Sequence, residues 1–162
     1  MAKIKPDEIH LERVRILETT FHQDPSIEIH SMVDFFDVGI RSESRIAREM
    51  GVYHFVLFLK LRGMGDGQEL GVSANFKIDF LYEVENFQNF LQEENTAPGG
   101  FKVNRLLAST IAGISYSTAR GLVLEKIRTN FELSFILPIV DPVKILTDDT
   151  YSQNVVKEDQ GS

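Results

Sequence analysis

Along residues 34–42 polar and apolar side chains alternate, with Phe36, Val38 and Ile40 on one side and Asp37, Gly39 and Arg41 on the other. Successive side chains of a β-strand leave opposite faces, so a period of two predicts a half-buried strand. Residues 10–21 predict another, with Val14 and Ile16 on one face and the turn-forming Asp24-Pro25-Ser26 after it. In residues 52–61 the side chains of Tyr53, Phe55, Leu57, Leu59 and Leu61 share one face while Val56 and Phe58 add apolar bulk to the other. That strand wants cover on both sides. Gly63-Met64-Gly65-Asp66-Gly67 then folds the chain back onto residues 70–84, where Val72, Ala74, Phe76, Ile78, Phe80 and Tyr82 alternate. Short connections without a helix between the last two strands predict a four-stranded antiparallel, meander-like sheet.

The period changes after residue 84. Phe87, Phe90 and Leu91 fall at helical spacing within a crossover, which Thr96-Ala97-Pro98-Gly99-Gly100 terminates. From residue 102 to about 130 Val103, Leu107, Ile111, Ile114, Thr118 and Leu122 recur in steps of three or four, predicting one long helix. Residues 133–145 are apolar and interrupted by Pro138 and Pro142. The expectation is one α+β domain over residues 1–146, with residues 147–162 as a flexible acidic tail.

Between Arg105 and Arg120 the helix carries no charge, and its remaining surface is built from small residues. A helix on one side of a single sheet ordinarily turns Lys and Glu toward water on its far face. Leu107, Ile111, Ala112, Gly113, Ser115 and Ala119 are therefore the candidate contacts with another copy of the chain. Gly113 and Gly121 each cost about 1 kcal/mol relative to Ala inside a helix, which close packing offsets. The alternative is a helix covered by residues 133–145 of its own chain.

Composition narrows the chemistry. Seventeen Lys and Arg against 24 Asp and Glu give a formal net charge of −7, which repels a phosphate backbone and disfavours nucleic acid. The absence of cysteine excludes disulfides, thiolate zinc sites and a Cys nucleophile. The first residues lack the apolar run of a signal peptide and no stretch is long enough to span a membrane, so a cytoplasmic location is expected. His10, His22, His30 and His54 lack the ligand spacing of a zinc site. Ser115 and Ser117 do not sit in a strand-turn-helix elbow. Gly65-Asp66-Gly67 lacks the Lys and the hydroxyl residue of a phosphate loop, and Asp148-Asp149 lacks further oxygen ligands. Neither catalysis nor a cofactor is predicted.

The order of parts resembles the SecB family of export chaperones. Residues 111–120, ending in Thr118-Ala119-Arg120, are similar to the family's helix segment that ends in an aromatic, alanine and arginine. Leu137-Pro138-Ile139-Val140-Asp141-Pro142 is similar to the apolar, proline-containing stretch after that helix, and the resemblance covers roughly residues 9–146. It implies a homotetramer, a dimer of dimers, that holds unfolded or precursor polypeptides in apolar grooves and keeps them competent for translocation. Here such grooves would be lined by Phe76, Phe80, Phe87, Phe90, Phe135 and Leu137. The sequence departs from the family pattern at Ser117 and Thr118, where a proline and an aromatic are usual. Of the acidic patch that docks the SecA motor, Glu18 is matched while His22 and the surroundings of Ser73 are not, which leaves an antitoxin client as an alternative. From another class, a cup-shaped binder of a small apolar ligand, or an enzyme of unrecognised type, would suit the same sheet and helix.

Overall fold

The computed structural model describes residues 3–97, 100–147 and 149–154. Strands β1 (Ile9–Gln23), β2 (Phe35–Ala47), β3 (Val52–Gly65) and β4 (Gln68–Val84) occupy the four predicted stretches, each extended by a few residues. A short helix α1 (Ile29–Met32) lies between β1 and β2. The β3–β4 hairpin turns on Asp66 and Gly67 at φ 50° and 72°, the double left-handed conformation that a tight two-residue hairpin requires. Gly65 cannot carry a side chain, because a Cβ there would come within 2.3 Å of the Met32 carbonyl oxygen.

The strand order is β1-β4-β3-β2-β7, where β7 (Asp149–Asn154) is a fifth strand. Two expectations are corrected. The sheet has five strands, and it is not a meander, because β1 pairs antiparallel with β4 rather than with β2. That is a Greek-key arrangement, in which three hairpin-connected strands take the remaining one beside the last. Residues 149–154, expected in a loose tail, pair with β2 from Asp149 opposite Ile40 to Asn154 opposite Phe35, and the Ser152 hydroxyl donates to the Asp37 carboxylate at 2.6 Å. Residues 148 and 155–162 lie outside the described residues, as do Pro98 and Gly99 of the predicted hinge.

The crossover is a 3-10 turn over Phe87–Phe90 followed by a two-stranded ribbon of β5 (Leu91–Glu93) and β6 (Phe101–Val103). Helix α2 (Arg105–Phe131) starts where the Asn104 side chain accepts from the Leu106 amide at 2.8 Å, and ends at Glu132 in the left-handed region. At 27 residues it runs for about 40 Å across the inner sheet face. Leu107, Ile111, Ser115, Ala119, Val123 and Ile127 are buried along it. Past α2 the chain returns as an irregular strap that closes with helix α3 (Pro142–Ile145). The strap is pinned by hydrogen bonds: Tyr116 Oη to the Pro138 carbonyl at 2.8 Å, Arg120 Nε to the Leu137 carbonyl at 3.0 Å and Ser42 Oγ to the Ile145 carbonyl at 2.9 Å. Phe135 meets Phe36 edge-on, with ring centroids 5.1 Å apart.

Candidate functional site

The six aromatic and aliphatic side chains expected to line a groove do not line one within this chain. Phe76, Phe80, Phe87, Phe90, Phe135 and Leu137 are all buried in the main core. Phe76 and Phe80 point inward because they share parity with Ile78 on β4, and Phe87 closes the sheet's end against Tyr53 at a centroid distance of 6.3 Å. Large side chains that reach this degree of burial stabilise the fold by about 1.5 to 3 kcal/mol each.

The proposed helix contacts are also revised. Leu107, Ile111, Ala112, Ser115 and Ala119 are buried inside the chain itself, against the sheet or beneath the strap, and only Gly113 reaches the surface, beside Pro142. The strap, residues 133–145 of the same chain and the alternative to a second copy, provides their cover. What stays open is a face turned about one residue away: Leu106, Thr110, Gly113, Ile114, Ser117 and Gly121, with Leu106 54% and Ile114 39% exposed. Its polarity is lower than its hydroxyls suggest. Thr110 Oγ1 donates to the Leu106 carbonyl at 2.7 Å and the neighbouring Thr118 Oγ1 to the Ile114 carbonyl at 3.0 Å, so these two donors are satisfied within the helix.

Two basins adjoin that face. One, about 640 Å³, lies between Thr110, Gly113, Ile114 and Ser117 of the helix and Pro142 and Val143 of the strap. The other, about 630 Å³, lies between β6, the start of α2 and α3, lined by Val103, Leu106, Ala108, Val143 and Leu146. Ser109 and Val143 border both, so the basins form one trough. Charged side chains stand at its margins, Lys102 and Arg105 at one end and Asp141 at the other. Ile136 and Ile139 of the strap are exposed as well, Ile139 at 85%. The trough can accept apolar side chains of an extended segment without imposing sequence, since its walls carry few fixed polar partners. Leu106, Val143 and Leu146 went unnoticed in the sequence because Leu106 and Leu107 are adjacent and only the phase of the helix separates surface from core.

The opposite, outer face of the sheet is organised in cross-strand rows. Arg45 and His54 share one with Leu81 and Arg13; Glu43 and Val56 share the next with Asp79 and Arg15. Arg41, Phe58, Lys77 and Glu18 form a third, Gly39, Lys60, Asn75 and Thr20 a fourth, and Asp37, Arg62, Ser73 and His22 a fifth. Asp79 is fully buried beneath its partners, accepting from Arg15 at 3.1 Å, from Arg13 at 3.3 Å and from His54. Burial pushes its carboxyl up, but the hydrogen bonds from His54 and the two arginines outweigh this and hold it below the usual carboxylate range. The Arg41 guanidinium stacks 3.8 Å from the centre of the Phe58 ring, with Lys77 on the same ring at 5.4 Å. Glu18, expected to mark an acidic docking patch, is exposed but stands opposite Lys77 beside Arg41 and Lys60. Among the described residues there is no cluster of three or more metal-ligating side chains, and no helix long and apolar enough to cross a membrane.

A Greek-key antiparallel sheet, crossed on one face by a single long helix and closed by a carboxyl-terminal strap, defines a SecB-like class of α+β fold. A solved structure of that fold is the Mycobacterium tuberculosis Rv1957 SecB-like chaperone in complex with a ChAD peptide from the Rv1956 HigA1 antitoxin. It superposes with a TM-score of 0.58 at 13% identity, covering 83% of this chain and 91% of that one. At that identity the likeness establishes the fold. No family model and no curated protein matches the sequence.

Proposed function

We propose that this protein is a SecB-like holdase chaperone that captures unfolded or precursor polypeptides and keeps them from aggregating, competent for translocation. The observation that carries the proposal is the trough over Leu106, Ile114, Pro142 and Val143, apolar along its middle and charged only at its ends, on a fold shared with a chaperone whose structure contains a bound peptide. In this reading the protein works in the cytoplasm as a homotetramer, a dimer of dimers, and catalyses nothing. Copies meet through the open face of α2, and the basin between β6 and α3 receives client side chains. Many weak apolar contacts, repeated across an oligomer, raise overall affinity without selecting one sequence. Open basins suit an extended chain better than the enclosed chamber that a small apolar ligand would favour.

A narrower version, a chaperone dedicated to an antitoxin, is favoured by the antitoxin peptide in that neighbouring structure. The cations around Glu18 make docking of a translocation motor through an acidic patch the weaker extension. The test is aggregation of a chemically denatured unrelated protein, followed by light scattering, with sedimentation in parallel. The chain should suppress scattering at near-stoichiometric oligomer, and Leu106→Asp with Val143→Asp should abolish suppression while the far-ultraviolet circular dichroism stays unchanged. Unaltered scattering in the presence of the unmodified protein would falsify the holdase reading.

A further inference from the structure

We propose that the outer face of the sheet is a second, separate docking surface, and that its occupant is an acidic polypeptide segment of a partner protein. The five rows described above hold seven arginines and lysines and four carboxylates, in a chain whose whole sequence has 24 acids to 17 bases. Cations are thus concentrated where the molecule as a whole is acidic. Three of the carboxylates are engaged within the face: Asp79 by Arg13 and Arg15, Glu43 by Arg41 at 2.6 Å, and Asp37 by Arg62 at 3.9 Å. Among the described residues Lys60, Lys77 and Arg45 have no carboxylate in ion-pair contact.

The surface is also shaped. A basin of about 510 Å³ lies over Phe58, lined by the cations Arg41, Lys60 and Lys77 and, at its rim, by the carboxylate residues Glu18 and Asp149, with Ile40, Leu59 and Phe76 beneath. Arg41 and Lys77 are held over the ring by cation-π contact, so less side-chain freedom is lost when a carboxylate binds them. An aromatic floor flanked by Lys60 and Lys77, without ion pairs among the described residues, and by Arg41, which is shared with Glu43, fits a segment that alternates carboxylates with an apolar residue. The protein's excess negative charge disfavours a nucleic acid, whose long charged backbone would extend beyond the cationic patch. This surface lies across the sheet from the trough, so it does not depend on the chaperone reading.

The test uses a fluorescein-labelled oligoglutamate peptide, a labelled oligolysine and a labelled oligothymidine, each titrated with the intact protein and followed by anisotropy. Oligoglutamate should bind, weaken as salt is raised, and lose about tenfold or more in affinity in Lys60→Glu/Lys77→Glu, while Lys144→Glu on the opposite side leaves it unchanged. Phe58→Ala, with circular dichroism as the check on folding, should weaken an alternating Glu-Phe peptide more than oligoglutamate. Equal binding of oligoglutamate to the unmodified protein and to Lys60→Glu/Lys77→Glu overturns the proposal. Tighter binding of oligothymidine through the same lysines overturns it in favour of nucleic acid. Self-association lost in Lys60→Glu/Lys77→Glu, without peptide binding, overturns it in favour of a second copy.

Discussion

The hydroxyl oxygens of Tyr82 and Ser115 lie 2.7 Å apart inside the core, a polar contact that ties the middle of α2 to β4. Each hydroxyl is the other's partner, and neither reaches water. Ser115→Ala leaves the Tyr82 hydroxyl buried and unpaired, which costs about 1 to 3 kcal/mol, and Tyr82→Phe strands Ser115 by a similar amount. The double variant removes both groups and should lose clearly less than the sum of the two. Urea denaturation of the four proteins as a double-mutant cycle measures the coupling.

The same burial predicts an alkaline limit. Burial pushes the Tyr82 hydroxyl up to about 12, against the hydrogen bond from Ser115, and raises Tyr116 as well. A group whose pKa is raised by folding contributes stability that is complete below the unfolded value, about 10, and is lost as pH rises through the folded one. Denaturation midpoints should therefore hold steady up to about pH 10 and fall steeply between there and about 12. In an absorbance titration at a phenolate band, Tyr82 and Tyr116 should ionise together with unfolding rather than ahead of it.

Gly113 and Gly121 carry the same intrinsic helix cost, yet the structure separates them. A Cβ at Gly113 would lie 3.2 Å from Pro142 Cγ, whereas one at Gly121 would meet nothing within 4 Å. Gly121→Ala should stabilise the isolated chain by up to about 1 kcal/mol, the helix-propensity difference. Gly113→Ala must shift α3, so its gain should be smaller or reversed. If copies meet closely on this face, Gly121→Ala should also weaken the oligomer, which sedimentation at falling protein concentration would register as earlier dissociation.

Phe87 and Phe90 test whether aromatics of the crossover serve a client or the core. At 3% and 4% exposure they are core residues, so Phe87→Ser and Phe90→Ser should each lower unfolding free energy by about 3 kcal/mol or more. A thermal scan that left the melting temperature unmoved would return them to a binding role.

Alternation made four strands legible in the sequence, since Phe36-Val38-Ile40 and Val72 through Tyr82 admit only one inward face each. The uncharged run in α2 was legible too, with residues 133–145 as one of its two candidate covers, but not the choice between them and a second copy. Residues 133–145 contain too few periodic positions to show that hydrogen bonds from Tyr116 and Arg120 would fasten them along the helix. Strand β7 was hidden for a related reason: Asp149, Thr150, Ser152 and Gln153 are polar, and an edge strand is held by backbone pairing that leaves no hydrophobic pattern. Pairing of β1 with β4 depends on the path of the eleven-residue connection from Asp24 to Asp34, which includes α1, and local sequence does not encode that choice. The trough escaped notice because its walls come from three segments, each unremarkable alone.

Asp79 links the outer sheet face to acid stability. Its carboxylate is fully buried, whereas Arg13 and Arg15, at 43% and 53% exposure, can turn back to water if it is removed. Asp79→Asn should therefore cost about 1 to 3 kcal/mol at neutral pH, from lost charge-assisted hydrogen bonds rather than from stranded cations. The sign of the pH dependence follows from the depressed carboxyl. A group whose pKa is lowered by folding contributes stability that is complete above the unfolded value, about 3.9, and is lost as pH falls through the folded one. The gap between the parent protein and Asp79→Asn should stay constant from neutral pH down to about 5, then narrow as acid protonates the parent's carboxylate. His54 bonds the other oxygen of the same carboxylate, so His54→Gln, which keeps a donor, should preserve most of the neutral-pH stability. Urea midpoints measured in parallel for the three proteins across that range decide the matter: a gap that widens toward acid would mean that Asp79 is held protonated in the fold, and that the arginines serve another group.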